Sequence, residues 1–197
     1  MEEQKITEHE SLQLIHQMIQ VAKADHRENG DGWLIWGWLL FIASISSAVL
    51  SYLQMKEYIA WIWTGTLIVG MIIYILFHVL KKKVEKVKTY VQELLDRLGT
   101  GFFISLFAII AAGFINKTSF GFGYYFILYG FWMYIHGSAI RFRPLIVGAF
   151  VNWMSAIAIF LLSDMGQIMI ISSIAVLIGY LIPGYMLQTG YRKKMKL

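Results

Sequence analysis

The chain has no cysteine, two prolines and little charge, and each scarcity removes a class of protein from consideration. Without cysteine there is no disulfide framework, no thiolate nucleophile and no cysteine-ligated metal. Charged residues make up 15% of the 197 residues, well short of the roughly 25% that clothes a water-facing domain. Chemistry-bearing patterns are equally thin. No serine–histidine–acid set and no paired carboxylates occur in a workable context. GTGFF at Gly99–Phe103 and GFG at Gly121–Gly123 lack the lysine and the preceding strand of a phosphate loop. A non-enzyme is therefore expected, with no catalytic, cofactor-binding or metal-binding residue assigned. The opening MEEQKITEHESLQLIHQ is too charged for the apolar core of a secretory leader, so the first apolar run is expected to direct insertion.

What is abundant is apolar sequence: 58% of residues are hydrophobic and the mean hydropathy is +0.61. A helix crossing a bilayer needs about 20 mainly apolar residues, at ~1.5 Å each across ~30 Å of hydrocarbon. Segments near Trp33–Leu53, Ile59–Leu80, Gly101–Ile115, Phe120–Ile140, Pro144–Leu162 and Gln167–Leu187 meet this. The expected fold is all-α, a polytopic membrane bundle of six transmembrane helices. The third span is the shortest and is expected to borrow Thr100 or Asn116 at its ends.

Basic residues set the threading. Lys5, Lys23 and Arg27 precede span one; Lys81, Lys82, Lys83, Lys86, Lys88 and Arg97 separate spans two and three. Arg141 and Arg143 separate spans four and five, and Arg192, Lys193, Lys194 and Lys196 follow span six. Only Lys56 and Lys117 fall in the other connections. The positive-inside bias then places both termini in the cytoplasm of a bacterium, with the chain multi-pass in its inner membrane. A net charge of +5 divided among short inter-span segments speaks for topology and against direct nucleic-acid binding. Arg141 and Arg143, with Pro144 suited to the first helical turn, read as a cytoplasmic turn whose guanidinium groups meet lipid head groups.

Three parts follow: residues 1–30, an amphipathic helix and linker; 31–188, the six spans; and 189–197, a basic tail. Thr7-Glu8-His9-Glu10 fits a capping box, and Leu12, Ile15, Ile19 and Ala22 recur at helical spacing until Asn29-Gly30. After span two, Val84, Val87, Val91, Leu94 and Leu98 step by three and four, a heptad seam with Gly99 as its expected stop. That seam reads as a cytoplasmic helical extension, 81–98, of the second span. It would dock on the N-terminal helix or on a second subunit, so the expected partners are membrane lipids and either a homodimer copy or a cytoplasmic protein.

Polar residues inside the spans are few. No charge lies in a span centre, which disfavours a transporter built on a membrane carboxylate. Ser44, Ser47 and Ser51 form a stripe on span one, suited either to close helix contact or to lining a polar path. Asn152 lies mid-span, either as structural glue or in a cavity wall. His78 and His136 sit at similar depth on different spans. They suit backbone hydrogen bonds or head groups better than a proton relay or haem ligation. His9 and His16, with Glu10 nearby, read as a solvated face more readily than a metal site. Gly123, Gly130 and Gly137 recur every seven residues along span four, and Ala175 and Gly179 repeat the theme on span six; such seams let backbones approach. Pro183-Gly184 should bend or unwind the end of span six. LIWGWLLFIASIS (Leu34–Ser46) and ILYGFWMYIHGSA (Ile127–Ala139) share an aromatic-Gly-aromatic core, as an inverted duplication of three spans would.

IHQMIQVAKADHRENG running into WLIWGWL, then HGSAIRFRPLIVGAFVNW, then LIGYLIPGYML before a basic tail, resemble a family of six-span inner-membrane proteins of similar length, typical of Bacteroidetes-like genomes. The resemblance covers the whole chain. It implies the location and span count, and it brings no activity and no site residue. Two functions are compatible with the sequence. The first is a non-enzymatic regulatory or scaffolding protein working through its cytoplasmic helices. The alternative is a small-solute transporter or channel with a cavity lined by spans one, four and five.

Overall fold

The computed structural model describes residues 30–81, 90–116 and 121–195. The N-terminal amphipathic helix, Val84 and Val87 lie outside the described residues, as does the side chain of His78. The described chain is helical, with no strand among the described residues. In chain order the helices are α1 (Asp31–Tyr52), α2 (Ile59–Lys81), α3 (Tyr90–Asn116), α4 (Gly121–Ala139), α5 (Arg143–Phe160), α6 (Met165–Val176) and α7 (Ile182–Met195). A π-helical segment, Leu177–Leu181, joins α6 to α7 in one rod. Four stretches are long and apolar enough to cross a membrane: Asp31–Tyr52, Glu93–Gly113, Arg143–Phe160 and Met165–Lys193. Between its phenylalanines and isoleucines, α4 carries Tyr124, Tyr125, Tyr129, Tyr134 and His136, and these lower its hydropathy.

Two tight pairs make the core, α4 with α5 and α1 with α6, and α5–α6 contacts join them. On α4 the glycine seam faces α5 along its whole length. A Cβ added at Gly123 would lie 2.5 Å from the Phe160 ring, one at Gly130 2.5 Å from the Trp153 indole, and one at Gly137 2.9 Å from Leu145. Phe160, Trp153 and Ile146 recur every seven residues on α5, matching the period of the glycines they fill. Matched periods of seven are the mark of helices crossing at a shallow angle, roughly 20°. Trp153 also donates its indole N–H to the Ile127 carbonyl, 3.2 Å away. The α1–α6 pair is closed by small side chains instead: Gly37, Ala43, Ser47, Ala48 and Ser51 on α1, with Ser172, Ser173 and Ala175 on α6, all buried.

Several expectations change. Residues 90–98 belong to α3, which runs unbroken through Gly99, so Val91, Leu94 and Leu98 are the start of the third long helix and Gly99 is no stop. A glycine inside a helix costs about 1 kcal/mol, and here its missing side chain admits the Trp132 ring, 3.3 Å from a would-be Cβ. The third helix is therefore 27 residues long, not the shortest. Val91 and Leu94 are exposed. Through the basic tail α7 continues to Met195. Pro183 acts earlier than expected. Its ring would clash with the carbonyl four residues back, and the helix answers by widening to π geometry over Leu177–Leu181, then resumes.

Both α1 and α4 end in the same way. Met55 donates to the Leu50 carbonyl (2.9 Å) and Gln54 to Ser51 (3.2 Å); Phe142 donates to Gly137 (2.8 Å) and Arg141 to Ser138 (3.2 Å). These are Schellman caps, with Gln54 at φ 61° and Arg141 at φ 54° in the left-handed position that glycine usually fills. Pro144 sits in the first turn of α5 as expected, and Arg141 and Arg143 are both exposed at that turn.

Candidate functional site

The remaining helices, α2 and α3, stand apart from this core. α2 packs on α1 and α3 on α4, mainly through aromatic rings. Trp36 lies over Gly70, where a Cβ would come within 2.6 Å. Trp63 meets Phe122 at 5.2 Å, and Phe102 meets Tyr129 and Trp132 at 5.4 Å each. Between this loosely attached pair and the core lies a cavity of about 440 Å³. Its walls include Trp36, Leu40 and Ser44 of α1, Trp63 and Leu67 of α2, and Leu106 and Ile110 of α3. The other walls come from Phe122, Tyr125, Phe126 and Tyr129 of α4, Asn152 of α5, and Val176 and Tyr180 of the last rod.

A second chamber of about 380 Å³ lies toward the end of the bundle that carries Arg141 and Arg143. Gly32, Trp33, Asp96, Phe102, Trp132 and His136 contribute to it. Trp36, Leu106, Tyr129 and Tyr180 line both chambers and form the partition between them. Tyr129 and Tyr180 meet edge to face at 5.7 Å, 89° between planes. The two chambers together run from Lys56 and Gly121 at one end of the helices to Gly32 and His136 at the other.

The polar atoms of the larger chamber are unusual in what they lack. Asn152 is 0% exposed and donates Nδ2 to the Gly148 carbonyl (2.8 Å) and to Met133 Sδ (3.3 Å). Its Oδ1 has no partner among the described residues, nor have Ser44 Oγ, Trp63 Nε1 and the Tyr180 hydroxyl. All four side chains line this one cavity, and Ser47 Oγ, likewise without a partner, lies outside its walls. Leaving a buried polar group unpaired costs about 1–3 kcal/mol, so native chains rarely gather such groups without water or a ligand to meet them. The contrast with neighbours is clear: Thr64, Thr66, Ser172 and Ser173 all donate to the carbonyl four residues back on their own helices.

Local sequence explains how these groups are held. Gly148 and Gly179 bring α5 and the π segment together, since a Cβ at Gly148 would lie 2.6 Å from the Gly179 carbonyl. A Cβ at Gly179 would lie 2.5 Å from Asn152 Nδ2. The π turn that Pro183 imposes therefore sets Gly179 against Asn152, and Gly37 on α1 leaves room for Leu181 behind it. Such π turns are frequent at functional sites.

Of the expected polar residues, the structure brings Ser44 and Asn152 to one cavity and sends Ser47 and Ser51 into the helix interface. His136 lines the second chamber, its ring against Trp33 (5.3 Å) and Trp132 (5.2 Å). Ala175 is buried in the α6 interface, and Gly179 faces Asn152. Tyr129 and Tyr180 were not singled out by sequence; the nearest signal was the proximity of Tyr180 to Pro183. Among the described residues no three His, Asp or Glu side chains converge as a metal site would need. Comparison of the chain with protein-family models, curated proteins and solved structures finds no match to any of them.

Proposed function

We propose that this chain is a six-span protein of a bacterial inner membrane that binds a small, uncharged, largely apolar solute between its helices and passes it across the bilayer. Four long apolar helices support the membrane setting, and so does the girdle of exposed side chains such as Ile42, Val49, Ile68, Ile72, Ile104, Val147 and Ile157. The lysine and arginine distribution supports a cytoplasmic location for both termini. The observation that carries the transport reading is the pair of adjoining chambers, the larger walled in part by Ser44, Trp63, Asn152 and Tyr180. Its volume lies within the roughly 300–1,000 Å³ of small-molecule sites. Among the described residues Lys56 is its one charged wall residue, and none of them offers an ion a counter-charge at mid-depth.

In this reading the solute enters from the Lys56 end or from the Gly32 end and rests against Asn152. It passes when Tyr129 and Tyr180 part. The loosely attached α2 and α3 are the elements able to move without breaking the core. The test is flux. Proteoliposomes of the wild-type chain should release a panel of uncharged organic solutes faster than empty liposomes, and Asn152→Leu should abolish the difference. Equal release from empty, wild-type and variant vesicles across the panel ends the transport reading.

A second reading, regulation through a docked cytoplasmic partner or a second copy, retains one supporting observation. Val91 and Leu94, three residues apart on α3, are both exposed. Leu94→Asp should then abolish chemical cross-linking between copies or to the partner.

A further inference from the structure

Independently of transport, we infer that the start of α3 is a docking surface for the chain's own N-terminal segment. Residues 12–19 lie parallel to α3 and in register along the stripe Val91, Leu94 and Leu98. The surface itself poses the question. Val91 and Leu94 are 38% and 44% exposed, and Leu98 is half-buried. Steps of three and four put these residues on one face of the helix. Glu93, Asp96 and Arg97 stand among them, and the Glu93–Arg97 ion pair (2.7 Å) is itself largely exposed. Charges at this level belong in water or among head groups, not in hydrocarbon, so lipid tails do not cover the stripe. An apolar stripe on the water side of a helix calls for a second helix against it.

The N-terminal segment suits that place by reach and by pattern. The chain enters α1 at Gly30, which is buried with φ 78°, and a Cβ there would lie 2.8 Å from the Gly184 carbonyl. Beside it Gln188 donates to Asp31 (3.0 Å). This fixed entry is at the same end of the bundle as the start of α3, since Gly32 and Asp96 line one chamber. Residues 23–29 can extend up to about 25 Å from it, enough to cross two helix diameters of about 10–12 Å. Leu12, Ile15 and Ile19 step by three and then four, in the same order as Val91, Leu94 and Leu98. Like positions of two heptads meet when the helices run parallel. The connection to Gly30 sets the same direction, because it leaves Ala22 nearer the bilayer, as Leu98 is on α3. The layers are then Leu12 with Val91, Ile15 with Leu94, and Ile19 with Leu98. So short a pair is too weak to associate freely, but a short tether supplies an effective concentration on the order of millimolar.

The experiment uses the full chain in membranes, where the absence of native cysteine allows thiols to be placed in pairs. The matched pairs are Leu12→Cys with Val91→Cys, Ile15→Cys with Leu94→Cys, and Ile19→Cys with Leu98→Cys. After mild oxidation each should remain a monomer that a polyethylene-glycol maleimide labels only once the disulfide is reduced. Two mismatched pairs serve as controls, Leu12→Cys with Leu98→Cys and Gln17→Cys with Leu94→Cys. They should close at least about tenfold more slowly, because seven residues of helix separate the first pair by ~10 Å and Gln17 lies on the opposite face from Ile15. Leu94→Asp should release the segment and speed tryptic cleavage after Lys23 or Arg27 several-fold, with the bundle still monodisperse in detergent. Oxidised dimers in place of closed monomers would overturn the inference in favour of a second copy at this stripe. Faster closure of Leu12→Cys with Leu98→Cys would overturn the parallel register. Failure of every pair to close, or cleavage unchanged by Leu94→Asp, would overturn the docking itself. None of these outcomes depends on vesicle flux, so this inference and the transport reading fail separately.

Discussion

The four core helices and the pair α2–α3 are made of similar apolar residues, yet they sit in the molecule quite differently. In the rod Met165–Lys193, 56% of the apolar window is buried, against 6% in Glu93–Gly113 of α3. The distinction lies in the glycines. In the core, Gly123, Gly130, Gly137 and Gly148 each receive a neighbouring side chain or backbone at close range, whereas Gly65 on α2 and Gly101 and Gly113 on α3 face open space. In a membrane there is no hydrophobic drive between helices, so association rests on close packing. The frame is closed by a run of filled glycines along α4 and α5, whereas α2 and α3, the wall, each hold on through one, Gly70 under Trp36 and Gly99 under Trp132. The cavity lies where the frame meets the wall.

The comparison can be broken most forcefully at the frame. Gly148→Val and Gly130→Val should each cost at least about 3 kcal/mol, because the added carbons meet backbone or a fixed indole. Neither should give a monodisperse, folded protein in detergent, whereas Gly65→Val should. Survival of the core variants would show that the glycine contacts do not hold the frame.

The next effect separates site from scaffold. Asn152→Leu removes an unpartnered acceptor from a site that is fully buried, so thermal stability should stay level or rise by about 1 kcal/mol. Ligand binding or flux should nevertheless be lost. A large drop in stability with function retained would return Asn152 to a packing role.

Smaller effects sharpen the ends of the frame. Gln54→Gly and Arg141→Gly relieve left-handed backbone at the caps of α1 and α4, and each should stabilise by about 0.5–1 kcal/mol in thermal unfolding. Smallest of all, Gly65→Ala and Gly101→Ala should raise stability by up to about 1 kcal/mol through helix propensity alone, since nothing lies near either position. Destabilisation there would mean that α2 and α3 pack more tightly than their surroundings indicate.

Much of this architecture was legible in the residues. Hydrophobic runs placed four of the six long helices within a few residues of their ends, and the spacing of Gly123, Gly130 and Gly137 named a true packing seam. Other features depend on tertiary partners and left little local trace. Gly99 looked like a helix stop because its reason for being glycine, Trp132, lies 33 residues away. The Schellman caps carry no glycine at Gln54 or Arg141, so no turn signal marked their geometry. Half of the site was visible as Ser44 and Asn152, which are polar in an apolar context. Tyr129 and Tyr180 were hidden, because in a chain with 16% aromatic residues nothing distinguishes a ring that packs from one that lines a cavity. For the same reason the serine stripe could not be divided by sequence: Ser44 and Ser47 are equally apt, and only the placement of α2 separates them.

That pair also supplies the most direct test of the central claim, that a ligand-accessible cavity lies between frame and wall. Ser44 and Ser47 lie one turn apart on α1 and are buried alike, at 1% and 0% exposed, but Ser44 lines the cavity and Ser47 does not. Because the chain has no native cysteine, Ser44→Cys and Ser47→Cys each carry a single thiol. In membranes, a small water-soluble thiol reagent should modify the cysteine at position 44 and should leave the one at 47 untouched. Equal modification of both, or of neither, would contradict the account.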